Sequence, residues 1–100
     1  MARIIWTEPA LNEIDEIADY ISLDIPKAAK NLVRTAFEKI EQLDSHPQSG
    51  KVVEEFDGSI YREIVLPPCR IFYRFENKFV YIIHVIRDEQ LLHFDILKSR

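Results

Sequence analysis

Apolar positions change period along the first half of the chain. Ile4 and Trp6 alternate with Arg3 and Ile5, which predicts a short strand over Ala2 to Trp6. From Ala10 onward Ala10, Leu11, Ile14, Ile17, Ala18 and Ile21 recur every three or four positions, the spacing of one face of a helix running from Glu8 to Asp24. Thr7 stands where a side-chain oxygen can cap that helix. Glu8 and Pro9 suit its first turn, because a carboxylate complements the free amides there and a missing amide proton costs little. Ile25 and Pro26 interrupt the pattern. A second run, Ala29, Leu32, Val33, Ala36, Phe37, Ile40 and Leu43, predicts a helix of about five turns. It should end before Pro47, since the residue preceding a proline is pushed out of the helical region.

Beyond Gly50 the composition shifts to Ile, Val, Tyr and Phe, and three strands are expected: Tyr61 to Leu66, Arg70 to Phe75, and Phe79 to Ile86. Pro67 and Pro68 separate the first two, and Glu76 to Lys78 is short enough to turn a hairpin. The order β-α-α-β-β-β describes one α+β domain over residues 1–100, in which the N-terminal strand adds to an antiparallel meander and a helical hairpin packs on the sheet. The expected core contains Ile14, Ile17, Ile21, Leu32, Phe37, Ile40, Ile64, Ile71, Tyr73 and Ile82, with Trp6 against it. The stretch Glu89 to Leu97 fits a short helix or a strand; an extended or irregular segment is the expectation.

Composition narrows the function classes. One hundred residues, 47% hydrophobic and 30% charged, support one core, and half that length would bury too little to fold. A formal net charge of -4 argues against a protein that coats nucleic acid by itself, since that affinity comes from neutralised phosphates. With Cys69 alone no internal disulfide can form, and a reducing compartment, the cytoplasm, is the default. The longest apolar stretch, Phe79 to Ile86 interrupted by His84, is too short to span a bilayer as a helix, so no membrane association is expected.

Several words of the sequence fall in a recognisable order: Trp6 closing the first strand; Leu11, Ile14 and Ile17 leading to Tyr20 and Ile21; Leu43 through His46 and Pro47 to Gly50; Tyr61-Arg62-Glu63; Arg70-Ile71-Phe72-Tyr73; and a final Val85 and Arg87. With this order the chain resembles the RelE/ParE toxin superfamily over nearly its whole length. The resemblance implies a toxin of a bacterial type II toxin-antitoxin system. It also implies a cognate antitoxin, with a DNA-binding N-terminal domain and a partly disordered remainder that wraps the toxin and folds on binding.

That superfamily carries two activities: RelE-like enzymes cleave messenger RNA on the ribosome, and ParE-like proteins poison DNA gyrase without being nucleases. RNA cleavage through the 2′-hydroxyl needs a base, a positive group for the phosphate, and an acid for the leaving oxygen. Arg70 matches the strand arginine that the nucleases place against the scissile phosphate. The nucleases also carry lysines after the second helix, where this chain has Glu54, Glu55 and Asp57 against Lys51. Their C-terminal tyrosine falls at Phe94, which has no proton to give, and Arg87 is followed by Asp88 and Glu89 rather than by further cations. The expectation is therefore a ParE-like toxin that binds the A subunit of gyrase, with no catalytic residue and no cofactor. The alternative is a RelE-like RNase using Arg70 with Arg87 or His93, in which Arg70→Ala would abolish toxicity and leave the fold. A member that has lost toxicity and serves in a repressor complex is a third reading.

The remaining signals concern partners. On the middle strand Arg70, Phe72 and Arg74 share the face opposite Ile71, Tyr73 and Phe75. Together with Arg62, Arg87 and Phe94 they form the candidate surface for antitoxin or target, the bland alternative being arginines paired with Glu63 or Glu76. The first helix carries six acidic residues and no basic one, a solvated face or an attraction for a basic antitoxin segment. His46, His84 and His93 lack ligand spacing, so no metal is expected. His84 reads as a sheet residue and Cys69 as an ordinary thiol.

Overall fold

A computed structural model describes residues 1–56 and 58–100. Strand β1 (Arg3–Trp6) leads into helix α1 (Glu8–Ser22), then helix α2 (Pro26–Glu41) with a single 3-10 turn after it, β2 (Lys51–Val52), β3 (Tyr61–Leu66), β4 (Cys69–Glu76), β5 (Phe79–Arg87) and helix α3 (Phe94–Ser99). Thr7 caps α1 as expected: its hydroxyl accepts from the Ala10 amide at 3.4 Å and donates to the Ile82 carbonyl at 2.8 Å, so the helix start is tied to the sheet. The sheet order is β1-β5-β4-β3-β2. The β3, β4 and β5 meander is antiparallel, joined by two-residue turns at Pro67-Pro68 and Asn77-Lys78. Asn77 and Lys78 both have positive φ, as the hairpin turn that follows strand twist requires. β1 runs parallel to β5, so the sheet is mixed, and β2 adds an edge of two residues that the composition did not announce. The parallel arrangement follows from the helical hairpin, which returns the chain to the end where β1 began.

The helices cover one sheet face. Ile14, Ile17, Leu32, Ile40, Ile71, Tyr73 and Ile82 form the expected core there, with Trp6, Ile21 and Ile64 packed at its margin; Phe37 is half-buried and its ring lies 4.7 Å from that of Trp6. The opposite face departs from expectation. Phe72, Tyr61, Val53, Ile83, Ile86 and Leu97 form a second buried cluster, closed by Phe56, Leu92 and Phe94. The C-terminal stretch is helical over Phe94–Ser99 instead of irregular, because Phe94 and Leu97, three residues apart, can then bury one apolar stripe against the sheet. A bulge makes the second cluster possible. Tyr73 pairs with Ile82 and Phe72 with His84, so Ile83 is an extra residue in β5 and turns its side chain, with Ile86, to the face away from α1 and α2.

Gly50 joins the loop after α2 to both neighbouring strands. Its amide donates to the Tyr73 hydroxyl at 2.9 Å, and its carbonyl accepts from Arg62 at 2.9 Å. A Cβ at position 50 would lie 2.4 Å from the Tyr73 oxygen and 2.5 Å from the ring, and that ring is fully buried. Gly50→Ala should therefore cost about 1–3 kcal/mol, the range for overpacking a filled core. Tyr73→Phe, which leaves the buried Gly50 amide unpaired, should cost about 1–3 kcal/mol by loss of one partner. Urea unfolding midpoints at unchanged slope would measure both.

Candidate functional site

The six residues proposed for partner contact are divided by the pleat. Arg62 and Arg87 lie on the helix-facing side: Arg62 is opposite Tyr73 and bonded to Gly50, while Arg87 is opposite Cys69 with its guanidinium 5.2 Å from the Tyr20 ring of α1. Arg70, Phe72, Arg74 and Phe94 lie on the other side. That side is not an open face, because α3 and the turn Glu54–Phe56 cover it. Phe72 is wholly buried beneath that cover. Phe94 packs against Phe56 at 4.4 Å and Tyr61 at 5.7 Å between ring centroids. Arg74 is held between Glu76 and the Tyr81 ring. The pattern of one strand located the arginines correctly but could not show that the C-terminal segment would fold over them.

Arg70 is the most constrained of the set. Its guanidinium donates to both carboxylate oxygens of Glu63, at 2.8 and 2.7 Å, and to both oxygens of Glu55, at 2.8 and 3.0 Å. Four charge-assisted bonds occupy the planar fork. The two carboxylates push the Arg70 pKa further up, and the same bonds hold Glu55 below the usual carboxylate range. Glu63 is only 4% exposed, and Arg70 is its ion-pair partner at 2.7 Å. A phosphate approaching Arg70 would have to displace two carboxylates. It would also meet no help from Arg87, which projects from the opposite face. His93 is exposed at the start of α3. Of the acidic loop residues, Glu55 pairs with Arg70 and Glu54 with Lys51 at 3.1 Å, and Asp57 lies outside the described residues.

A second ionic cluster escaped the sequence. β1 pairs with β5 only as far as Ile82, which leaves the next stretch of β5 without a strand on that side. Side chains fill the place. Glu13 of α1 accepts from the Val85 amide at 3.1 Å and from Arg100 at 2.8 Å, and Arg100 donates to the Ile83 carbonyl at 3.0 Å. The buried His84 ring places Nδ1 2.9 Å from a Glu13 oxygen and 2.9 Å from the Arg100 guanidinium. That nitrogen can donate to the first or accept from the second, but not both. Burial raises the Glu13 pKa, but the bonds from His84, Arg100 and Val85 outweigh it and the net value is lowered. Cys69 is buried, and desolvation with Asp88 and Glu89 nearby pushes its thiol up to about 11, so it is no nucleophile.

Comparison with known proteins identifies the family. The family model for the ParE toxin of type II toxin-antitoxin systems, parDE, matches residues 4–92. The chain belongs to the ParE toxin family. Among curated relatives, "Toxin RelE2" of Caulobacter vibrioides is 27% identical over 85 residues, covering 85% of this chain and 93% of that protein. "Putative toxin Y4kP" of Sinorhizobium fredii is 41% identical over 49 residues, about half of each chain. A solved structure described as the chromosomal ParDE TA system from P. aeruginosa matches with a TM-score of 0.73 at 23% identity, covering 87% of this chain and 96% of that one, and shows the shared fold. In this ParE-family chain the matched segment ends before α3, so the helix that closes the second cluster lies outside it.

Two outcomes follow for this toxin. Arg70→Ala strands the buried Glu63 carboxylate and should destabilise the fold by about 3–5 kcal/mol, with partial recovery when Glu63→Gln is added; chemical denaturation of the single and double variants measures it. Glu13 and Glu55 have folded pKa values below the unfolded Glu value of about 4.3. Their contribution to stability is therefore complete above that value and lost as pH falls through the folded one. The stability difference between wild type and Glu13→Gln, large at neutral pH, should shrink in an acid titration.

Proposed function

We propose that this toxin acts by binding, with the A subunit of DNA gyrase as its target in the cytoplasm, and that a cognate antitoxin silences it. The observation that carries this reading is the state of Arg70: the one strand arginine that matches the nuclease pattern makes four hydrogen bonds to Glu55 and Glu63. Arg87 lies on the opposite face and Phe94 is packed in a core, so the parts of a phosphate-cleaving site do not converge. A protein without convergent acid, base and phosphate donor has only its surfaces to act with. The antitoxin follows from family membership and from the ParDE system of the structural relative. Its expected form is a DNA-binding N-terminal domain followed by a segment that orders on the toxin. The relative named RelE2 gives the ribosome-dependent RNase its place as the competing arm of the test.

Purified toxin should abolish gyrase supercoiling or stabilise gyrase-cleaved DNA, while primer extension on messenger RNA from induced cells shows intact transcripts. Codon-linked RNA cuts with normal gyrase would overturn the proposal, and normal growth of induced cells lacking antitoxin would point to a member without toxicity.

A further inference from the structure

The end of the molecule formed by the α1–α2 turn and the Pro67-Pro68 turn is apolar and unoccupied by the chain itself. Tyr20, Leu23 and Ile25 are 63%, 85% and 54% exposed, a concentration of large apolar side chains within six consecutive positions. They border a recess of about 430 Å³ that includes Ile21 and Asp24. Ile21 also lines an adjoining groove of about 490 Å³ running under α2 to Leu66, Pro67 and Pro68. Ile21 lines both, so the recess and the groove meet at one side chain and together make an apolar cleft at this end. Contiguous apolar surface of this kind marks an interaction site.

Charge selects the occupant. Asp24, Asp88 and Glu89 stand around this end against Lys27 and Arg87. Asp88 is fixed beside the turn by its backbone N–H, which donates a hydrogen bond to the Pro68 carbonyl at 2.8 Å, and Asp24 lines the recess itself. Arg87 is already paired with Glu89 at 3.1 Å. Asp24 and Asp88 have no ion-pair partner among the described residues. The chain offers no matching segment of its own: α1 is acidic, and α2, which carries Lys27, Lys30 and Arg34, buries its apolar residues Ala29, Leu32 and Ala36 in the fold. We infer that this cleft receives a basic amphipathic segment of a partner polypeptide, apolar residues at helical spacing entering the groove and Lys or Arg meeting Asp24 and Asp88. The inference rests on the reading that the toxin works through bound partners, and not on gyrase being one of them.

The test is amide NMR of the isotope-labelled toxin titrated with two designed peptides about four helical turns long, identical in their Leu positions and flanked by Lys in one and Glu in the other. The Lys-flanked peptide should bind saturably, with shifts confined to residues 20–28, 65–68 and 88. Leu23→Ser with Ile25→Ser, both at exposed positions, should weaken it by about tenfold or more. Asp24→Lys with Asp88→Lys should reverse the preference toward the Glu-flanked peptide. Equal binding of the two peptides, shifts elsewhere, or indifference to the Leu23 and Ile25 changes would overturn the inference. A toxin dimer dissolved by Leu23→Ser in sedimentation would assign the cleft to a second copy and likewise overturn it. Gyrase inhibition by the same variants, assayed without peptide, reads the target separately, so failure of one reading is distinguishable from failure of the other.

Discussion

The two central strands are apolar on both faces, and this constraint organises the rest of the molecule. β4 sends Ile71 and Tyr73 toward the helices and Phe72 away from them; β5 does the same with Val80, Ile82 and Val85 on one side and Ile83 and Ile86 on the other. Two helices can cover one face only. The second must be covered from what is left of the chain, and α3 and the Glu54–Phe56 turn do it. Burial of several large side chains, each contributing about 1.5–3 kcal/mol, makes that cover a requirement of the fold. It also turns the arginines on that face inward to local carboxylates.

The words that distinguish the family in this chain are physically one contact. The turn that ends in Gly50, the Tyr-Arg of β3 and the Arg-Ile-Phe-Tyr of β4 meet where the Gly50 peptide donates to Tyr73 and accepts from Arg62. Gly50 is small because the Tyr73 ring occupies the space a side chain would need. Tyr73 keeps its hydroxyl because a buried amide requires it, and burial raises its pKa well clear of neutrality, so it stays a donor and acceptor. Residues that look like scattered motifs in the sequence are the corners of one joint between loop and sheet.

The helical hairpin and the meander were legible in the sequence because each rests on local periodicity. Thr7 as a cap and the turn at Asn77-Lys78 were legible for the same reason. What the sequence hid was non-local. The bulge at Ile83 breaks the two-residue alternation of β5, and a single extra residue leaves no mark in a strand so largely apolar. Phe94 and Leu97 were too few to announce a helix without the face they cover. Glu13 looked like one more solvated acid on α1, yet it binds residues more than seventy positions away. The candidate surface is divided between two faces for the same reason: one strand's alternation assigned its own faces, but Arg62 and Arg87 were added to it from strands whose phase had not been fixed.

The short first strand leaves backbone groups of β5 that Glu13 and Arg100 satisfy in place of a neighbouring chain. An unpaired strand edge is a template for pairing with other molecules. Here the barrier to that pairing resides in two side chains drawn from opposite ends of the sequence. It requires α1 and the C-terminal residues to be docked together, so a chain in which either is detached exposes that edge of β5. Protection of this sheet edge thus depends on contacts between the two ends of the chain.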